Sequence, residues 1–232
     1  MKNGTGHGIF ITGSDTDIGK TYVCRILAEG FAPWQTVTYM KPVQTGCRRD
    51  AAGVLHAPDF DQVMQGNAII NAEPDDHVPY RFEPACSPHL AASRAGLMIS
   101  LEYIREKFNR VSNKKSVTIV EGAGGVLTPL SETTSMLDLI EHLHLPVVVV
   151  TTPRIGTLNH TLLTVEALAK RGIEPAGLVL NNRQELPENY IYHDTLRFLH
   201  EHLPAALFLE IGHKGECDLK VEEFCHAIFE RL

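Results

Sequence analysis

The 232-residue sequence predicts an α/β fold in which a doubly wound, mostly parallel sheet carries helices on both faces. Three observations predict it. Short apolar runs alternate with helical patterns along the chain, as right-handed βαβ crossovers require. The run at residues 146–151 holds four consecutive valines, the pattern of a strand buried on both faces of a parallel sheet. The first run, residues 9–12, leads through Gly13-Ser-Asp-Thr-Asp-Ile-Gly-Lys-Thr21 into a helix, the setting of a phosphate-binding loop. The fold is therefore expected to be P-loop NTPase-like. With no internal repeat, linker or break in composition, residues 1–232 read as a single domain, with a glycine-rich lead-in over 1–8 expected to be mobile.

The elements follow in order. After the strand at 9–12 comes a helix over 22–32, then a strand over 36–40 that runs into Lys41-Pro42. Residues 43–100 are the least regular part, punctuated by Pro58, Pro74, Pro79, Pro84 and Pro88, with short helices at 59–65 and 87–95. Leu101, Ile104, Phe108 and Val111 recur at helical spacing behind Ser100 as N-cap. A strand over 116–120 ends at Glu121. Beyond the valine strand, Leu158, Leu162, Val165 and Ala169 form a helical stripe ended by Gly172. A strand at 176–180, a helix over 188–202, a strand at 206–211 and a closing helix over 219–232, capped by Asp218, complete the chain.

Composition sets the outer bounds. Apolar residues at 44% and charged residues at 21% are those of a soluble globular protein. A net charge of −7 argues against nucleic acid as the main partner. No run approaches the ~18 apolar residues of a membrane span and no apolar signal core opens the chain, so a cytoplasmic protein is expected. The five cysteines, Cys24, Cys47, Cys86, Cys217 and Cys225, are odd in number and lack Cys-x-x-Cys spacing, which reads as reduced thiols. The twelve histidines, His142 and His144 among them, show no ligand spacing for a structural metal.

In a doubly wound sheet, ligands bind at the carboxyl ends of the strands. Gly13 to Thr21, Lys41 to Thr45, Glu121 to Gly125, Thr151 to Gly156 and Asn181-Asn182 all follow strands, so they should meet. In the loop, backbone N–H groups and the helix N-terminus face an anion, Lys20 adds a full charge, and the Thr21 hydroxyl can reach a magnesium ion. Five residues separate Gly13 from Gly19, one more than the usual spacing. Lys41, next to a P-loop, can aim a second cation at a γ-phosphate; a solvated rim lysine is the plainer alternative. Glu121 at the tip of a buried strand needs a cation, and Gly122-Ala123-Gly124-Gly125 let the backbone approach a ligand. Asp59 and Asp61 both stand as a further magnesium carboxylate.

Five segments also carry a family resemblance: the loop at 13–21, Lys41-Pro-Val-Gln-Thr-Gly46, Ser87-Pro-His89, Val120-Glu-Gly-Ala-Gly-Gly125 and Gly156-Thr-Leu-Asn-His160. Together they resemble the dethiobiotin synthetases over residues 9–182. The resemblance implies a magnesium- and ATP-dependent ligase of biotin synthesis that closes a cyclic urea on 7,8-diaminononanoate with CO₂ (or bicarbonate). It implies that Asp17, Ile18, Gly19, Lys20, Thr21 and Tyr22 wrap the ATP phosphates, with Lys20 and Lys41 catalytic. Glu121, Gly122, Ala123 and Gly124 would contact nucleotide, and Asn181 with Asn182 the adenine. Thr21, Asp59 and Glu121 would hold Mg²⁺; Asp59 is selected by its register eight residues before Asn67. Thr45 would meet the carbamate end of the substrate. The family is a homodimer, which implies that Gly156, Thr157, Leu158 and Asn159, joined by Tyr192, receive the substrate carboxylate of the partner's site.

The chain departs from the family near its end. Leu207-Phe-Leu-Glu-Ile-Gly212 replaces a Leu-Gly-x-Ile-Pro turn that contacts adenine. A rival of another class is a dimerising partition-type P-loop switch, which usually carries an extra lysine where this chain has Ser14 and Asp15. An amidotransferase-type synthetase would need a glutaminase domain for which this length has no room, and a purely structural nucleotide-binding module is a third alternative.

Overall fold

A computed structural model of the chain describes residues 7–66, 69, 74–112, 116–182, 190–212 and 220–232. Its first half runs β1 (His7–Gly13), α1 (Lys20–Phe31), β2 (Thr36–Met40), β3 (Val43–Gln44), β4 (Arg48–Arg49), β5 (Leu55–His56), α2 (Pro58–Met64), α3 (Pro74–His77), β6 (Tyr80–Arg81), α4 (Pro88–Arg94) and α5 (Leu101–Val111). The second half runs β7 (Ser116–Gly125), α6 (Met136–Leu143), β8 (Val147–Thr151), α7 (Thr157–Ala169), β9 (Pro175–Asn181), α8 (Tyr190–His202), β10 (Leu207–Ile211) and α9 (Lys220–Phe229). Six strands form one sheet in the order β10-β9-β8-β1-β7-β2, and every pairing in it is parallel.

Period-two alternation divides the core between the two faces of this sheet. Ile9, Ile11, Val37, Tyr39, Val117, Ile119, Val148 and Val150 pack on one side with residues of α1, α2 and α9. Phe10, Met40, Val120, Val147 and Val149 pack on the other with α4, α5, α6 and α7. Both faces are covered, so the valine run is fully buried. The expected fold class is the observed one.

Several expectations change in detail. The first strand begins at His7, so the last two residues of the lead-in expected to be mobile belong to the sheet. A Cβ on Gly8 would stand 2.9 Å from the Thr118 carbonyl oxygen, which is why a glycine serves there. β7 continues past Glu121 to Gly125, because Gly125 pairs with Gly13 beyond an irregularity in the ladder. Ser100 caps α5 as expected, accepting from the Tyr103 N–H at 3.2 Å. The α7 stripe is the larger change. Thr157, Thr161, Thr164 and Leu168 face the core, while Leu158, Leu162 and Val165 are half-buried and Ala169 is exposed. Asn67, Cys217 and the Asp218 cap lie outside the described residues.

Candidate nucleotide and active site

The loop from Ser14 to Gly19 is held from both sides. Asp17 and Gly19 take positive φ values of 57° and 84°, turning backbone N–H groups toward one concavity. Only a glycine suits the second turn, since a Cβ on Gly19 would come within 2.2 Å of the Asn181 side-chain nitrogen. That amide donates to the Ile18 carbonyl at 2.9 Å and thereby ties the tip of β9 to the loop. On the other flank, the Ser14 hydroxyl donates to Thr151 Oγ1 at 3.1 Å, and Asp15 Oδ2 accepts from Arg154 at 2.8 Å.

Lys20 is buried and donates to the Asp15 carbonyl at 2.9 Å. Burial, and after it the charge of Lys41, pull its pKa down to about 8. Lys41 is held in the opposite way. Its Nζ lies 2.6 Å from Glu121 Oε1 and 2.7 Å from Asp59 Oδ2. Burial works against the ammonium, but the two carboxylates outweigh it and raise its pKa. Asp59 shows the mirror effect: burial favours the acid, yet Lys41 keeps the carboxyl below its ordinary range.

Glu121, 1% exposed, is the centre of the cluster. Its Oε1 accepts from Thr21 at 2.9 Å as well as from Lys41, and its Oε2 accepts from the Tyr39 hydroxyl at 2.6 Å. Carboxylate oxygens of Asp59 and Glu121 thus meet at one ammonium, with the Thr21 hydroxyl bonded to the Glu121 oxygen beside it. Among the described residues, no group of three or more His, Cys, Asp or Glu side chains gathers as a metal cage.

These groups open into a cleft of about 610 Å³ at the carboxyl edge of the sheet, within the range of small-molecule sites. Asp17, Gly19, Lys20, Thr21 and Tyr22 line one wall, Lys41, Thr45 and Asp59 another, and Glu121, Ala123 and Gly124 the floor. Ile18 and Gly122 sit behind that surface: Ile18 is buried in the core, and the Gly122 carbonyl accepts from Lys41 at 3.3 Å. Asp61 lines a neighbouring groove instead.

Asn181 and Asn182 are buried at the end of β9. Gly156, with φ of 91°, stands as the N-cap of α7 without a side-chain cap, and the Thr157 N–H donates to the Arg154 carbonyl at 3.0 Å. The Thr157 hydroxyl is turned inward, 3.0 Å from Thr151 Oγ1, whereas Asn159 is exposed. Tyr192 is 5% exposed, and its hydroxyl donates to Glu210 at the tip of β10 at 2.8 Å. Tyr39, which no motif marks, also reaches Glu121; the signal in the sequence is its place on β2 two residues before Lys41.

A six-stranded parallel sheet with a lysine-bearing glycine loop after its first strand defines a P-loop nucleotide-binding protein. A family model described as an AAA domain matches residues 7–218. The solved MinC:MinD cell division complex of Aquifex aeolicus shares the fold, with a TM-score of 0.57 over 97% of this chain and 94% of that one at 12% identity. The ATP-dependent dethiobiotin synthetase BioD of Nitrosospira multiformis is 37% identical over 88% of this chain and 87% of its own. That of Methanocaldococcus jannaschii is 40% identical over 81% and 85%. The chain belongs to the ATP-dependent dethiobiotin synthetase family and is an ATP-dependent cyclo-ligase of biotin biosynthesis. The likeness to MinD shows the fold alone.

Proposed function

We propose that the protein closes the cyclic urea of dethiobiotin on 7,8-diaminononanoate, using CO₂ (or bicarbonate), ATP and Mg²⁺. The observation that carries this reading is the buried Lys41, bridged by Glu121 and Asp59 beside the loop lysine. A phosphoryl-transfer site needs fixed positive charge and carboxylates at that place.

The residues fit a magnesium ion. Two carboxylates, Asp59 and Glu121, already converge on a cation, the Lys41 ammonium, and the Thr21 hydroxyl donates to the same Glu121 oxygen. Mg²⁺ is usually held through one or two carboxylates and substrate phosphates rather than in an all-protein cage. Thr21, Asp59 and Glu121 would hold it. When bound, it would neutralise charge on the transferring phosphoryl group.

One amine of the substrate captures CO₂ as a carbamate. A carbamate oxygen attacks the γ-phosphorus and ADP leaves, giving a carbamic–phosphoric anhydride. The second amine then attacks the carbonyl carbon, the bond to phosphate breaks, and the ring closes with release of a proton. The protein's part is to align these groups and stabilise charge. Lys20 and the N–H groups from Asp17 to Tyr22 bind the phosphates, and Gly122, Ala123 and Gly124 bring backbone close to them. Lys41 faces the reacting oxygens, and Thr45, on the wall beside it, orients the carbamate. Asn181 and Asn182 stand where the adenine would lie.

The same reading includes a homodimer. Ile155 and Leu163 are 88% and 55% exposed around the start of α7, and Leu127, beside Leu163 in a second cleft, is 67% exposed. This apolar face suits a second copy, whose substrate carboxylate would meet the uncapped turn at Gly156, Thr157, Leu158 and Asn159. Tyr192 would join that subsite. Free thiols at Cys24, Cys47, Cys86 and Cys225 support a cytoplasmic enzyme. Among the described residues no helix is long and apolar enough to cross a membrane.

The test is phosphate release from Mg·ATP. Release that needs both diaminononanoate and bicarbonate is expected; hydrolysis indifferent to both would overturn the reading and favour a dimerising switch.

A further inference from the structure

Glu121 uses both carboxylate oxygens, and the residue that takes the second lies outside every motif. β2 and β7 are parallel neighbours in the register Tyr39 opposite Ile119 and Met40 opposite Val120. Residues two apart on a strand share a face, so Tyr39 lies diagonally across from Glu121 on one side of the sheet, within reach of an aromatic side chain. The Tyr39 hydroxyl closes the gap with a 2.6 Å bond to Glu121 Oε2. That length is typical of a charge-assisted O–H···O⁻ bond. The phenol is fully buried, and its strand end is clamped as well: His77 Nδ1 lies 2.5 Å from the Tyr39 carbonyl, and the His77 carbonyl accepts from the Lys41 N–H at 2.8 Å.

We propose that Tyr39 is a positioning residue of the active site, which holds Glu121 by Oε2 so that Oε1 is presented to Thr21, Lys41 and the cation that Glu121 is to bind. This rests on the metal role given to Glu121 above. A carboxylate caught only at Oε1 can rotate and chelate the Lys41 ammonium with both oxygens. Tyr39 blocks that rotation by occupying the second oxygen with a rigid donor whose ring is packed against Phe60 at 6.3 Å. Partners of this kind behind a metal ligand commonly change affinity or activity by about 10- to 100-fold when removed.

The test is Mn²⁺ binding, followed by the loss of its free paramagnetic signal, in the presence of a non-hydrolysable ATP analogue. Wild type, Tyr39→Phe, Glu121→Gln and the double variant are compared. Tyr39→Phe should weaken Mn²⁺ by about 10-fold or more, lower kcat more than it changes KM for ATP, and have no further effect in the Glu121→Gln background. Wild-type Mn²⁺ affinity in Tyr39→Phe alongside a weakened Glu121→Gln overturns the proposal alone. So does a Tyr39→Phe effect that persists undiminished in the double variant, since that marks a purely structural role. Unchanged affinity in Glu121→Gln overturns the metal reading itself, and this proposal with it. Should Tyr39→Phe not fold, the wild-type protein answers: the short hydroxyl bond gives a far-downfield proton resonance, which Mn²⁺ should broaden. A downfield resonance that Mn²⁺ leaves sharp overturns the proposal.

Discussion

Lys41 and Glu121 stand 2.6 Å apart at the ends of adjacent strands, both almost wholly withdrawn from water. An ion pair this deep is sustained by its extra partners, Asp59, Thr21 and Tyr39, and the lysine is kept charged at any pH in the working range. The site thus holds a buried cation between two carboxylates.

Removing the ammonium should separate chemistry from binding. Lys41→Met is expected to lower kcat by at least about 100-fold, while the KM for ATP changes only a few-fold. It should also destabilise the fold by about 3–5 kcal/mol, because Glu121 loses its cation. Steady-state kinetics and denaturant unfolding check both, and near-normal turnover would remove Lys41 from the mechanism.

A pH effect follows from Lys20. Its pKa of about 8 in the free protein lies below the ordinary 10.5, so the charged form is disfavoured until an anion arrives. Nucleotide phosphates should raise it. Between those two values, ATP binding then takes up a proton, and affinity falls as pH rises above about 8. Calorimetry of an ATP analogue in buffers of different ionisation enthalpy measures the uptake; none at pH 8.5–9.5 would contradict the burial argument.

The loop's glycine admits no substitute. Gly19→Ala places a Cβ 2.2 Å from the Asn181 amide, in a backbone region with φ of 84° that alanine avoids. ATP affinity is expected to drop by at least about 10-fold, a loss of about 1.4 kcal/mol, as the loop opens away from β9. Asn181→Ala, which frees the Ile18 carbonyl, should do less harm to phosphate binding. Equal affinities for Gly19→Ala and wild type would show that the loop is not set by this contact.

The apolar face at α7 gives a prediction about assembly. Ile155→Glu with Leu163→Glu should yield a monomer in analytical ultracentrifugation, since both side chains are more than half exposed in the single chain. The monomer should keep ATP binding and lose affinity for diaminononanoate. A dimer that survives both changes must be built on another face.

How far the sequence reached can be seen at particular residues. The loop from Gly13 to Thr21 was legible because its chemistry is local: glycines, a lysine and a hydroxyl at fixed offsets between a strand and a helix. The five strand tips were legible because a parallel α/β sheet gathers such ends on one edge. Asp59 over Asp61 came from family register, and only the folded chain shows that Asp59 pairs with Lys41. The α7 stripe misled, because apolar spacing identifies a face without saying what covers it. Here Thr157 and Thr161 turn inward to bond Thr151, and Leu158 and Leu162 are only half-buried.

Taken by itself, the sequence determined the class of fold, the anion-binding loop and the places where charged residues sit relative to strands. Only the tertiary structure decided which of them touch. Tyr39 and Glu121 are 82 positions apart, and their bond depends on β2 lying next to β7 in one register. A shift of one residue would turn either side chain to the opposite face of the sheet. Strand order and register arise from packing across the whole core, so the partner of a buried carboxylate is a property of the assembled sheet and not of any segment.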